Sequence, residues 1–231
     1  MRAGILATSL SEKEKNLNWV LEWMSIPTCA VIFAGYAHSV SRLAWTPADR
    51  WTGSSGPIGQ YTLALHVNLS IYESIVYILY GKPAIFLGHH VIVLLNFVQV
   101  YYTGHLEFYA AWDGLTEITN LPLCTMTLMN RLEMKTHPLF VPNGMLLWLS
   151  FVVFRILSLP GWLALYASDM IKHPELVAAA PFPLHPLTIP STFAIWALSV
   201  TWFTRIHKGM VKAVHRKWGW GSGAQKEKKA C

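Results

Sequence analysis

The sequence predicts an all-α fold, a polytopic bundle of six or seven transmembrane helices around a polar cavity that faces lipid. The first observation is composition, because 53% of the residues are hydrophobic and only 13% are charged, whereas a soluble domain carries about 25% charged residues. The second is length, because several apolar runs approach the roughly 20 residues that a helix needs to cross the hydrocarbon core. The third is that polar residues recur at helical spacing inside these runs.

Six apolar runs, bounded by charged residues, proline or glycine, give the predicted helices. They cover residues 17–37, 60–80, 83–102, 105–132, 142–168 and 189–206. The first run follows Ser11 and Glu14, which have the spacing of a capping box and predict a helix start. The fourth run is long and polar, so it leaves the count open between six and seven helices. Pro160 predicts a kink in the fifth helix.

Lysine and arginine are distributed unequally over the predicted loops. With six spans both termini share a side, and only Arg42, Arg50 and Lys172 fall on the opposite side. The positive-inside rule therefore predicts that both termini are cytosolic. The predicted organisation is a cytosolic N-terminal segment 1–16, a transmembrane bundle 17–206 and a basic cytosolic tail 207–231. This topology accounts for the net charge of +6 without a nucleic-acid partner.

The last four residues read KKAC, with Lys228 and Lys229 at the first two positions. On a cytosolic tail this pair resembles the dilysine signal that returns membrane proteins to the endoplasmic reticulum. We therefore predict a multi-pass protein of the endoplasmic reticulum membrane, with another internal membrane as the alternative. The basic tail can also dock on anionic headgroups, or serve only as a solvated positive flank.

Ionisable residues at bilayer depth cost free energy, and they usually face the interior of a bundle or a water-filled cavity. In the second and fourth predicted helices, three polar residues at i, i+4 and i+7 share one face. These residues are His66, Ser70 and Glu73, and then Asp113, Glu117 and Asn120. Polar stripes on several helices predict one shared interior cavity.

The stretch AIFLGHHVIVLLNF adds two adjacent histidines and an asparagine to the third helix. His89 and Asn96 are seven residues apart and share a face, while His90 points about 100° away from its neighbour. Arg155 lies in the middle of the fifth helix and offers a positive charge to the carboxylates. We predict that the His pair (His89 and His90), Glu117 and Arg155 line a functional cavity. The alternative is that these side chains only form interhelical hydrogen bonds.

Spacing excludes several classes of active site. The ten histidines never form the HxxxH and HxxHH clusters that hold two metals in diiron desaturases and hydroxylases. The three cysteines, Cys29, Cys124 and Cys231, are too scattered for a disulfide framework or a thiolate metal site. The chain also lacks a GxSxG elbow, a phosphate-binding glycine loop and a CxxC pair. We therefore predict no metal site and no resident cofactor.

Three stretches of the chain carry a family resemblance: SIYESIVYILYGKPAIFLGHH, GLTEITNLPL and PNGMLLWLSFVVFRILSLPGW. They resemble the TLC-domain family, which includes ceramide synthases, translocating-chain-associated membrane proteins and smaller TLC-domain-containing proteins. The resemblance extends over most of the chain. Its most specific elements follow one another in the family's order: the His pair, Glu117 in EIT, Asn143 and Gly144 in NG, and Arg155 in FRI. The resemblance implies a helix bundle around a long lipid-binding cavity in the endoplasmic reticulum.

In ceramide synthases the matching histidines transfer an acyl chain from coenzyme A to a sphingoid amine. The resemblance therefore implies that His89 or His90 is the general base or a transient acyl acceptor. Glu117 and Asp113 would orient the imidazole, and acyl-CoA would be the co-substrate. Arg155 is expected near the mouth of the cavity, where a planar guanidinium suits a phosphate or carboxylate. The residues expected to bind a lipid or its headgroup are Arg155, Glu73, Asn120 and Asn96.

Two functions from different classes follow. One is a lipid-handling protein, either an N-acyltransferase of ceramide-synthase type or a lipid sensor, which explains the His pair and the carboxylates. The other is a non-catalytic membrane adaptor or accessory subunit of a larger membrane complex. Ceramide synthases carry two neighbouring aspartates after the His pair, whereas this chain offers only Asp113 and Glu117, which favours the second function. The expected partners are membrane lipids and either further copies of the chain or subunits of a membrane complex.

Overall fold

The computed structural model describes residues 2–79, 83–181 and 184–218. Within these ranges every regular element is helical and no strand occurs, which confirms the all-α prediction. Among the described residues, four helical segments are long and apolar enough to cross a membrane: Pro57–Leu79, Ala84–Thr103, Phe140–Lys172 and Pro186–Ala213. The chain is therefore a multi-pass membrane protein, and six or seven spans remain a prediction.

The helices follow one another along the whole described chain. They are α1 (Arg2–Leu43), α2 (Pro47–Thr52), α3 (Pro57–Leu79), α4 (Ala84–Thr103), α5 (Glu107–Gly114), a 3₁₀ helix (Leu115–Thr119), α6 (Asn120–Arg131), a 3₁₀ turn (Met134–Thr136), α7 (Phe140–Phe151), a π-helical turn (Val152–Leu157), α8 (Ser158–Lys172), α9 (Pro174–Ala179) and α10 (Leu184–Trp218). The dilysine pair Lys228 and Lys229 lies outside the described residues.

Helix α1 already begins at Arg2, so the helix start predicted at Ser11 is wrong. Residues 5–26 contain neither glycine nor proline, and a helix can therefore propagate through the capping sequence without interruption. The predicted span 105–132 is divided into α5, the 3₁₀ helix and α6. None of these pieces is long enough by itself to cross the hydrocarbon core.

The fifth predicted helix is continuous from α7 to α8, with its irregularity at the π-helical turn. This turn precedes Pro160, the residue at which the sequence predicts a kink. A proline lacks the backbone N–H, and its ring crowds the carbonyl four residues earlier, here that of Ile156. Trp196 Nε1 of α10 donates to this carbonyl over 3.4 Å. The wider turn also carries Arg155 into the bundle.

Packing places α1 against α3, α5 and α6, α3 against α4, and α10 against α4, α7 and α8. A cluster of aromatic side chains fills the end of the bundle near α2. Trp51 and Trp162 both stack on Tyr166, with ring centroids 5.2 and 5.0 Å apart. Trp162 Nε1 donates to the carbonyl oxygen of Tyr109 over 2.7 Å. This cluster ties α2, α5 and α8 together.

An ion pair lies beside the aromatic cluster. Arg50 donates from Nε and Nη2 to the two oxygens of Asp169 over 2.7 and 2.6 Å, and from Nη1 to the carbonyl of Ala44 over 3.1 Å. Tyr109 donates its hydroxyl to Asp169 over 2.5 Å. The bonds to Asp169 raise the pKa of Arg50 above its usual value. This bidentate pair connects α2 to α8, and sequence analysis did not predict it.

Replacing Arg50 by alanine should destabilise the protein by roughly 3 kcal/mol, because Asp169 would remain buried without its cation. The measurement is thermal unfolding of the purified protein in detergent. Arg42→Ala is the control, since Arg42 is exposed, and it should leave the transition within about 0.5 kcal/mol of wild type. The double variant Arg50→Met/Asp169→Leu should recover part of the loss. An unfolding temperature of Arg50→Ala equal to that of Arg42→Ala would contradict this assignment.

Candidate functional site

Glu117 lies in the 3₁₀ helix between α5 and α6, where side chains of several helices meet. Its carboxylate accepts a hydrogen bond from Asn120 Nδ2 over 2.8 Å and one from the Cys29 thiol over 3.4 Å. His66 Nε2 is 3.8 Å from Glu117 Oε1, and Tyr36 makes a hydrogen bond to the other ring nitrogen of His66 over 2.9 Å. We call these five residues the Glu117 cluster. It joins α1, α3 and α6 through buried polar contacts.

Glu73 is the carboxylate beside the His pair. Its Oε2 atom is 3.5 Å from Nε2 of His90, and its Oε1 accepts from the Ser25 hydroxyl over 3.5 Å. The ring of Tyr77 packs on His90 with centroids 5.0 Å apart. The family resemblance implies that Glu117 and Asp113 orient the histidines, whereas in the structure Glu73 is the carboxylate next to His90. The reason is that Glu73 and His90 lie on the neighbouring helices α3 and α4.

The two rings of the His pair face different helices. Their centroids are 5.3 Å apart, and His89 lies 5.5 Å from the ring of Trp202 on α10. Within the described part of the chain, the Nδ1 atoms of both histidines are buried and have no hydrogen-bond partner. A buried polar atom without a partner is uncommon in native proteins. These nitrogens are therefore available to a polar group of a bound molecule.

Arg155 is buried inside the bundle, whereas the family resemblance implies a place at the mouth of the cavity. Its Nε donates to the Thr119 hydroxyl over 2.9 Å and its Nη2 to the Thr116 carbonyl over 3.4 Å. The guanidinium carbon lies 5.2 Å from the ring centroid of Phe151. Nη1 is buried without a partner among the described residues. Since Arg155 points at the 3₁₀ helix that carries Glu117, it faces the acidic side of the bundle.

Asn96 and Asp113 lie apart from the His pair and from the Glu117 cluster. They line a cavity of about 20 Å³ together with residues of α5, α8 and α10. Asn96 exchanges hydrogen bonds with the Ser191 hydroxyl over 2.6 and 2.9 Å, while Asp113 Oδ1 is buried without a partner in the described structure. This volume holds about one water molecule. The predicted site residues within the described chain therefore fall into four places: the Glu117 cluster, the His pair with Glu73, Arg155 beside the 3₁₀ helix, and this small cavity.

Helix α1 supplies three polar residues that sequence analysis did not assign to the site. Ser25, Cys29 and Tyr36 are all buried and reach Glu73, Glu117 and His66 as described above. Together with buried Ile32 they occupy positions i, i+4, i+7 and i+11, which lie on one helix face. This periodicity is the signal that could have identified them.

Comparison with known proteins gives one match. A family model described as TLC domain matches residues 19–208, a range that contains the His pair, the Glu117 cluster, Glu73 and Arg155. A search of curated proteins and a search of solved structures found no match.

Proposed function

Because the chain belongs to the TLC-domain family, we propose that it handles acyl lipids in the endoplasmic reticulum membrane, as an N-acyltransferase. The acyl donor would be acyl-CoA, and the acceptor would be a sphingoid or related amine. A carboxylate beside two neighbouring imidazoles is the observation that carries the proposal. A general base needs an ionisable group in reach of the proton that it removes and a second group that orients it.

His90 is the general base in this proposal and Glu73 is its orienting carboxylate. The separation of 3.5 Å between Nε2 and Oε2 is longer than a tight hydrogen bond, and such contacts often tighten only when substrate is bound. His90 has its Nδ1 unpartnered among the described residues, so this nitrogen can accept a proton. Either histidine can alternatively accept the acyl group transiently.

The reaction balances with these groups alone. The amine nitrogen attacks the thioester carbonyl, and its proton passes to the imidazole of His90. The carbon–sulfur bond of acyl-CoA then breaks, and the coenzyme A sulfur leaves and takes the proton from the imidazolium. The products are an amide and the free thiol. Glu73 stabilises the positive imidazolium by its charge, and no oxidant or metal is needed.

A non-catalytic adaptor or accessory subunit is the second candidate function. It is favoured by the mutual contacts of the Glu117 cluster, since paired polar residues can hold a membrane bundle together without chemistry. The two candidates differ in one property, because only the first makes a product from acyl-CoA.

We predict that vesicles containing the protein convert palmitoyl-CoA and sphinganine to N-palmitoyl-sphinganine, measured by mass spectrometry. His90→Ala, alone or together with His89→Ala, should lower the rate by about 100-fold or more, because general acid–base catalysis supplies a factor of this size. Glu73→Gln should lower it less, since the base is kept. His173→Ala is the matched control, because His173 follows α8 at the opposite end of the bundle. A wild-type rate no higher than that of empty vesicles would contradict the enzyme and favour the adaptor.

The proposed location depends on Lys228 and Lys229. We predict that Lys228→Ser/Lys229→Ser moves the full-length protein from the endoplasmic reticulum to later compartments, as seen by fluorescence microscopy. Lys226→Ser is the control, since it removes a charge from the same tail but not from the dilysine position. An unchanged distribution of the double variant would contradict the retrieval role.

A further inference from the structure

A cavity of about 230 Å³ lies between α6, α7 and α10. We call it the α7–α10 cavity. Its walls are apolar and include Met126, Phe140, Leu147 and Ile206, while none of the residues proposed for catalysis lines it. An apolar cavity of about 150 Å³ already binds benzene. The α7–α10 cavity is therefore large enough for a stretch of acyl chain.

Two glycines line this cavity. Helices α7 and α10 are joined by stacked rings of Phe151 and Phe203, 6.4 Å apart, and by a hydrogen bond of 3.1 Å from Trp148 Nε1 to His207 Nδ1. Farther along both helices, Gly144 and Gly209 line the cavity. A Cβ atom at Gly144 would lie 3.1 Å from Cε of Met126, whereas one at Gly209 would meet no other atom within 4 Å. Gly209 is therefore the position at which a larger side chain would enter the cavity.

Basic side chains run beside the cavity on α10. The cavity-facing residues of α10 are 206, 209, 210 and 213. Three of these cavity-facing residues directly follow an exposed basic residue, which is Arg205, Lys208 or Lys212. Each basic side chain therefore lies about 100° around the helix from a residue that lines the cavity. The candidate span runs from Pro186 to Ala213, so the cavity and these basic residues lie in its last turns. Long lysine side chains near the end of a span extend to the headgroups.

We propose that the α7–α10 cavity binds one acyl chain of an anionic phospholipid whose headgroup contacts Lys208 and Lys212. The apolar walls match the chain, and the two cations match a phosphate and an added negative charge. A chain without an anionic headgroup would gain nothing from the lysines. This site differs from the proposed acyl-transfer site in its residues and in its ligand, which is a lipid of the bilayer rather than acyl-CoA.

The test is native mass spectrometry of the full-length protein in detergent, with palmitoyl-oleoyl-phosphatidylserine or the corresponding phosphatidylcholine added. Wild type should retain one phosphatidylserine and much less phosphatidylcholine. Gly209→Leu should weaken phosphatidylserine binding by about tenfold or more, because the new side chain takes the place of buried methylene groups. Gly161→Leu is the matched control, since Gly161 is exposed on α8 and a Cβ there also meets open space.

The charge is tested separately with Lys208→Glu/Lys212→Glu, which should weaken phosphatidylserine binding by about tenfold or more and leave phosphatidylcholine unchanged. Lys208→Arg/Lys212→Arg keeps the charge and should bind like wild type. Equal retention of the two lipids by wild type would overturn the proposal. Binding of phosphatidylserine to Gly209→Leu at the wild-type level would overturn it as well. If oleate binds as tightly as phosphatidylserine and its binding does not change in Lys208→Glu/Lys212→Glu, the cavity is a site for an acyl chain alone and the proposal is wrong.

Discussion

Hydrocarbon offers no partner to a charge or a hydrogen-bonding group, so a membrane protein must supply these partners itself. In this bundle the neighbouring helices supply them to Glu117, and their packing is organised around these contacts. Glu117 is 9% exposed, and its carboxylate receives hydrogen bonds from α1 and α6, with a histidine of α3 beside it. An unpaired buried carboxylate would cost several kcal/mol. For each helix, contact with Glu117 therefore requires one rotation about the helix axis and one position along that axis. These requirements fix how α1, α3 and α6 are placed relative to one another.

Two irregular turns make this arrangement compatible with long helices. The 3₁₀ helix Leu115–Thr119 carries Glu117, and the π-helical turn Val152–Leu157 carries Arg155. They face each other, because Arg155 bonds to Thr119 and Thr116 of the 3₁₀ helix. Buried non-α segments are tolerated in membranes only where the protein satisfies their backbone groups, and π-helical turns are frequent at functional sites. The two turns place a positive and a negative side chain in the same interior region.

The lipid-handling proposals use two neighbouring turns of α10. Trp202 packs on His89, and one helical turn farther Ile206 begins the wall of the α7–α10 cavity. The proposed catalytic pair and the proposed phospholipid site are thus close along one helix but have different walls. A lipid bound at the second site would stabilise the packing of α10 that also positions Trp202 beside the His pair.

Much of the fold could be predicted from the sequence, because α3, α4 and the first part of α10 are apolar runs of the length that a membrane span needs. The spacing of His66, Glu73 and Glu117 predicted that they face the interior, and in the structure His66 and Glu117 are buried and Glu73 is partly buried. The pairing of carboxylates with histidines could not be predicted, since it depends on how each helix is rotated. The 3₁₀ helix that divides the fourth apolar run also changes the relative directions of Asp113 and Glu117, which a continuous α-helix would place on one face. The pair Arg50 and Asp169 is 119 residues apart in the chain, so no local pattern indicates it.

Thermal unfolding of Glu117→Ala in detergent tests the central claim most directly. The variant removes the carboxylate that α1, α3 and α6 share, and the free energy of unfolding should fall by roughly 2 kcal/mol, because charge-assisted hydrogen bonds are lost and their buried donors stay unpaired. Glu133→Ala is the control, since Glu133 is exposed and should change stability by less than about 0.5 kcal/mol. If Glu117→Ala unfolds at the same temperature as Glu133→Ala, Glu117 does not organise the bundle and the account is wrong.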